Sequence, residues 1–228
     1  PGEIERLGRI VQPTVAVFTC IGPAHLKGLG CVEKVYEEKA SLLKTLAPKG
    51  CVVYNSDDQY LKRLKNSNAF RKLSCGTNGE SSIQLQLCHL NSTGTLEATI
   101  NRSFKLKLHT PVMENMKNAL AAFACGQILG LSGEQILKGL EKARFLNSRQ
   151  YIEWVNGITL INDTYNANPL SFKSAIQTLA SIPAKGKRIA VCADMLELGK
   201  MSRRLHEDVG RFLAEQQIDV VLTHGSYA

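Results

Sequence analysis

Short β-rich runs and stretches of helical period alternate along most of this chain. Thr14–Thr19 is an apolar run of strand length, of the kind buried on both faces of a parallel sheet. Val32–Leu46 carries apolar residues at helical spacing (Val35, Leu42, Leu43, Leu46), and Pro48 and Gly50 stop it before a second strand at Cys51–Tyr54. A strand–helix–strand succession predicts parallel pairing. The period then changes. Ile83, Leu85 and Leu87 alternate with polar residues, as do Phe104, Leu106 and Leu108, and Asn91-Ser92-Thr93-Gly94 supplies a turn between. Residues 83–108 therefore read as a small antiparallel meander. Helix returns at Asn115–Leu129, and Ser132 with Gln135 makes a capping box for a helix over Gly133–Lys142.

Periodicity lapses over Arg144–Arg149, which places a domain boundary near residue 147 and divides the chain into 1–146 and 147–228. Beyond it come a strand at Tyr151–Val155, a turn at Asn156-Gly157 and a strand at Ile158–Asn162. A helix starts at Pro169, a residue suited to the first helical position, with Asn168 as its N-cap. A strand at Arg188–Cys192, a helix at Ser202–Gln216 and a strand at Asp219–Thr223 complete a βαβαβ pattern. The class is α/β: a parallel sheet with a small meander, then a second α/β domain.

Composition narrows the partners. With 44% hydrophobic residues and a mean hydropathy of −0.10, the 228 residues can bury ordinary cores. No apolar run approaches the roughly eighteen residues of a membrane span. The net charge of +8 favours anionic partners. Its positive residues are scattered, however (Lys62, Arg63 and Lys65; Lys185, Lys187 and Arg188), and aromatics make up only 6%. That disfavours nucleic acid and leaves a solvated basic surface or a phosphate-bearing small molecule. The seven cysteines form no Cys-x-x-Cys pair, which fits thiols in a reducing cytoplasm better than disulfides or zinc.

Ligands of open α/β sheets bind beyond the carboxyl ends of strands. Three polar clusters fall there: Thr19–His25, Asp163–Asn168 and Asp194–Gly199. Each of their residues also has an ordinary reading. Asp163–Asn168 suits a capped strand-to-helix loop. His25 suits a loop histidine, Lys39 a solvated helix lysine, and Asn115 with Asn118 helix-capping amides. Arg149 could chelate phosphate oxygens bidentately or sit in an exposed ion pair. His206, on a predicted helix, reads as structural, and Asp194 and Glu197 have no assigned role.

As a sequence pattern, Asp163-Thr164-Tyr165-Asn166-Ala167-Asn168-Pro169 followed by Ser171 closely resembles the Mur ligases, ATP-dependent peptide ligases of cell-wall synthesis. Pro1-Gly2-Glu3-Ile4, Thr19-Cys20-Ile21-Gly22-Pro23-Ala24-His25-Leu26, Glu38-Lys39-Ala40, Asn115-Met116-Lys117-Asn118-Ala119-Leu120-Ala121-Ala122 and Asp194-Met195-Leu196-Glu197-Leu198-Gly199 resemble further family motifs in the same order. Asparagine at both 166 and 168, where sister ligases usually carry one histidine, points to the branch that joins D-alanyl-D-alanine to UDP-N-acetylmuramoyl-tripeptide. The resemblance implies a P-loop-type ATPase central domain, of which 1–146 is the C-terminal part, followed by a truncated Rossmann-like C-terminal domain at 147–228. It implies ATP and Mg²⁺, with His25 and a carbamylated Lys39 as metal ligands and His25, Lys39 and Asp163 in catalysis. Asn115 and Asn118 are expected on the adenine, Arg149 at the γ-phosphate, and Asn166 and Asn168 near the nucleotide. A cytoplasmic, monomeric enzyme is implied.

Some features depart from the family pattern. The chain opens on Pro1 and contains no Gly-x-x-Gly-Lys-Thr/Ser phosphate loop, so it is expected to be a piece lacking that loop and the domain gripping the UDP-sugar, and inactive alone. Cys20, Ser148, Asn162 and Ala193 replace an Asn, a Gly, an Asp and a Gly of the family pattern. A sister ligase adding another amino acid, a non-catalytic nucleotide-binding descendant and a basic nucleic-acid binder are the competing readings.

Overall fold

The computed structural model describes residues 1–146 and 148–228. The boundary expected near residue 147 thus falls on the one residue outside the described set. In chain order the elements are α1 (Glu3–Val11), β1 (Val15–Phe18), a single turn α2 (Leu26–Leu29), α3 (Val32–Ala40), β2 (Cys51–Asn55), β3 (Arg71–Gly76), β4 (Ile83–Leu90), β5 (Leu96–Ile100), β6 (Phe104–Leu108), α4 (Met113–Ile128), α5 (Gly133–Glu141), β7 (Tyr151–Val155), β8 (Ile158–Asn162), α6 (Pro169–Ser181), β9 (Ile189–Ala193), α7 (Ser202–Ala214) and β10 (Val220–His224). They form two compact units: 1–21, 31–110 and 114–143 in the first, and 22–30, 111–113 and 144–228 in the second.

In the first unit β1, β2, β3 and β4 pair in parallel, and β4, β5 and β6 continue antiparallel as the expected meander. Val52 and Val53 of β2 are fully buried, as a central parallel strand requires. The register Leu96↔Leu108, Ala98↔Leu106 stacks buried residues on one face of the meander. That face meets Met116, Leu120 and Phe123 of α4 in one cluster with Ile83, Leu85 and Ile100. The capping box holds: Ser132 Oγ accepts from Gln135 N, and the Gln135 side chain accepts from Ser132 N. At the other end of this unit the Glu38 carboxylate accepts from Gly2 N and Ile4 N, and these bonds keep it below the usual carboxylate range.

The alternation expected of Ile83, Leu85 and Leu87 breaks at its last member. Leu87 is 81% exposed at φ 46°, inside a register shift between Gln86 and His89. The bulge inserts one residue and reverses the parity of the strand, so Cys88 and Leu90 face the core instead. α1 and β3 had no counterpart among the expected elements. The intended Val32–Leu46 helix is α3 up to Ala40 and then tightens to a 3-10 turn over Ser41–Thr45.

In the second unit β7 and β8 form a hairpin through Asn156-Gly157, whose φ values of 50° and 82° fit the doubly left-handed turn that matches strand twist. α6 and α7 pack around Ile176, Met195, Leu198 and Val209. The βαβαβ pattern is realised only in part. β9 and β10 pair in parallel, while β8 pairs with β7.

Candidate functional site

Within the first unit the backbone just past β1 is held residue by residue by side chains from elsewhere. Asn55 Nδ2 donates to Thr19 O at 3.1 Å, and Lys39 Nζ, from the last turn of α3, donates to Cys20 O at 3.0 Å. Ile21 N donates to Asp58 Oδ2 at 2.7 Å. The other Asp58 oxygen accepts from Tyr60 N and Leu61 N at 2.9 and 3.0 Å, capping the 3-10 turn Leu61–Asn66. Asn55 and Asp58 were absent from the expected site. Their signal was present, since Asn55-Ser56-Asp57-Asp58 is a fourth polar cluster at the end of a parallel strand.

Asn115 and Asn118 lie one turn apart on α4. Neither caps the helix, which begins at Met113. Asn115 Nδ2 donates to Thr110 Oγ1 at 3.3 Å, and Asn118 is exposed.

In the second unit His25 precedes α2 in the left-handed region, at φ 55°. Its Nδ1 is 2.5 Å from Glu197 Oε2, and Lys27 N donates to Glu197 O at 2.8 Å. Gly199 closes this contact at φ 57°; a Cβ there would sit 3.2 Å from Lys27 Cα. Glu197 thus has a partner that the sequence did not supply.

Asp194 and His206 order the neighbouring loop. Met195 N donates to His206 Nε2 at 2.8 Å, and His206 Nδ1 lies 2.7 Å from Ser202 O, so the proton sits on Nδ1. His206 is buried, which agrees with its structural reading. Asp194 accepts N–H bonds from Ser226, Tyr227 and Ala228 at 2.8, 2.9 and 2.7 Å. Burial pushes its carboxyl up, but these three donors outweigh that and hold it below the usual range. Gly225 is required beside it, because a Cβ at this φ of 125° would meet the carboxylate carbon at 2.4 Å.

The Asp163–Pro169 loop sits at the carboxyl end of β8 and opens α6. Asn168 Oδ1 accepts from Leu170 N and Ser171 N, both at 3.0 Å, so its ordinary capping role is filled. Asn166 is exposed and its Oδ1 accepts from Ala167 N at 2.9 Å. Asp163 Oδ1 accepts from Gln150 N at 3.2 Å. Burial raises its pKa, against the Gln150 N–H and the Arg149 charge, which pull it down. The guanidinium carbon of Arg149 lies 4.0 Å from the centroid of the Tyr165 ring. Asp163, Arg149 and Tyr165 are therefore brought together, with Asn166 next in the chain.

Of the residues expected to hold a metal, Lys39 needs a carbamate before it can serve as an oxygen donor. Lys39 as an amine is a donor, His25 engages Glu197, and among the described residues no three His, Cys, Asp or Glu side chains are grouped to hold a metal ion. Magnesium prefers six oxygen donors.

Residues 1–126 match the Mur ligase middle domain, and residues 148–227 match the domain described as "Mur ligase, glutamate ligase domain". The chain belongs to the Mur ligase family. It is 34% identical, over 98% of its own length and 49% of the relative's, to the UDP-N-acetylmuramoyl-tripeptide–D-alanyl-D-alanine ligase of Bacillus subtilis. Among solved structures, MurF from Acinetobacter baumannii superposes with a TM-score of 0.91 at 29% identity, covering 99% of this chain and 49% of that one. MurF from Thermotoga maritima in complex with ADP gives 0.87 at 28% identity, covering 98% and 51%. The chain thus spans about half the length of the curated relatives it matches.

Proposed function

We propose that the protein carrying this chain is an ATP-dependent ligase that joins D-alanyl-D-alanine to UDP-N-acetylmuramoyl-tripeptide in peptidoglycan precursor synthesis. The observation that carries this reading is the likeness, over 98% of the chain, to a ligase named for that reaction. The Asp163–Pro169 loop, rigidly capped at a strand's carboxyl end, supports it.

The reaction proceeds through an acyl phosphate. The terminal carboxylate of the tripeptide attacks the γ-phosphoryl group of ATP and ADP leaves. The amine of D-alanyl-D-alanine then attacks the acyl carbon, phosphate leaves and the amine loses a proton. Arg149 offers a guanidinium edge to phosphoryl oxygens, and Asn115 and Asn118 offer amides to the adenine. Asp163, with its raised pKa, orients the loop that carries Asn166 and Asn168 toward the nucleotide. Residues 1–146 act as the C-terminal part of the ATPase domain and 147–228 as the start of the C-terminal domain. We place the enzyme in the cytoplasm as a monomer; no helix among the described residues is long and apolar enough to cross a membrane.

A magnesium site at His25 and Lys39 requires Lys39 to carry CO₂ as a carbamate, which turns a cation into an anionic oxygen donor. A bound Mg²⁺ would neutralise phosphoryl charge. Isotope-labelled bicarbonate should give a carbamate carbon signal that Lys39→Arg abolishes; an unchanged spectrum in the variant removes Lys39 from the metal set.

The decisive assay offers the full-length protein ATP, UDP-N-acetylmuramoyl-tripeptide and either D-alanyl-D-alanine or single amino acids. Ligation of the dipeptide with release of ADP is expected. Preference for a single amino acid would move the protein to a sister branch, and nucleotide binding without ligation would make it a non-catalytic descendant.

A further inference from the structure

Arg149 is exposed, but the backbone on either side of it is tied down by hydrogen bonds. Its neighbours Ser148 and Gln150 both lie in the left-handed region, at φ 66° and 49°. A residue with a Cβ is strained in that region, so the surroundings must impose that path. They do so at four points. Tyr165 N donates to Ser148 O at 3.2 Å, and Gln150 N donates to Asp163 Oδ1 at 3.2 Å. Gln150 Nε2 donates to Ser174 Oγ at 3.1 Å, and its Oε1 accepts from Thr178 Oγ1 at 2.8 Å. The backbone on either side of Arg149 is thereby tied to the loop 163–165 and to α6. The guanidinium itself lies over the face of the Tyr165 ring, 4.0 Å from its centroid, and its charge acts on Asp163.

A guanidinium lying on an aromatic face has its N–H groups in its own plane, directed past the ring edge. Stacking also removes rotamer freedom that a long side chain would otherwise lose on binding. Tyr165 is 68% exposed, so burial of its own surface does not account for its position. From this geometry we propose that Tyr165 is a positioning residue. Its ring holds the Arg149 guanidinium over its face, so that the N–H fork is presented, already ordered, to the phosphate oxygens of a nucleotide. Tyr165 touches no reacting atom and works only through Arg149. The proposal rests on the nucleotide-binding part of the function proposed above.

The test uses the full-length protein, with ADP binding by calorimetry and steady-state ligation as separate readouts. Tyr165→Leu should weaken ADP binding and raise the KM for ATP by about threefold to thirtyfold, the range of a partly desolvated cation–π contact, leaving the KM for D-alanyl-D-alanine unmoved. Tyr165→Phe keeps the ring and should recover most of that loss. In an Arg149→Met background, Tyr165→Leu should cost nothing further. Equal losses from Leu and Phe, or a Leu effect that persists without Arg149, would overturn the proposal. A wild-type protein that binds ADP without ligating sinks the ligase reading alone, whereas one that binds no ADP overturns both.

Discussion

Asp163 shows how a single side chain can carry two readings that experiment separates. Its carboxyl is partly buried, and that burial raises its pKa above the ordinary 3.8. A raised folded-state value means that ionisation is disfavoured in the fold. The stability contributed by this group is therefore fully present below the ordinary value and lost as pH rises through the raised one. Asp163→Asn should stabilise the second unit at neutral pH, with the gain disappearing in acid, while lowering ligation by the full-length protein. Urea titrations across pH check the first part; a variant less stable at neutral pH than the parent would mean that the bond from Gln150 N outweighs the burial cost. The sequence marked Asp163 as polar and well placed. It could not show that the carboxylate is partly withdrawn from water, because that depends on what packs over it. Glu197, Asn55 and Asp58 are harder cases still, since their partners His25, Thr19 and Ile21 are remote in the chain.

At the scale of elements, α6 was almost entirely legible. Pro169 at its first position and Asn168 before it are local signals, and both are used as expected. Asn168→Ala should cost about 1 kcal/mol through loss of the cap, whereas Asn168→Asp should hold that stability. Comparing the two by thermal unfolding and ATP KM separates capping from nucleotide contact. If Asn168→Asp matches the parent in both stability and KM, the residue is a cap and nothing more. β4 shows the opposite case. Its alternation reads smoothly through Leu87, yet the bulge turns that leucine to solvent. A bulge is a compromise between two strands, so one strand's pattern cannot reveal it. β8 pairs with its hairpin neighbour β7 through the two-residue turn, while the parallel ladder implied by the βαβαβ pattern is seen only between β9 and β10 among the described residues.

For the whole molecule, the 228 residues contain no Gly-x-x-Gly-Lys-Thr/Ser loop, and the chain covers 49% of a full-length relative. That loop is the motif that cradles phosphates with successive backbone N–H groups. The isolated chain should show no ATP-dependent ligation when purified and assayed with both substrates; turnover above the enzyme-free blank would refute this. By itself the sequence determined the α/β class, most helix and strand positions, the Ser132 capping box, the Asn168 N-cap and the candidate loops. Those rest on periodicity and on hydrogen bonds between residues a few positions apart, which a linear pattern records. The tertiary structure alone decided the bulge at Leu87, the three side chains that hold the end of β1, and the ring beneath Arg149. Each of these joins groups that only the folded chain brings within a few ångströms.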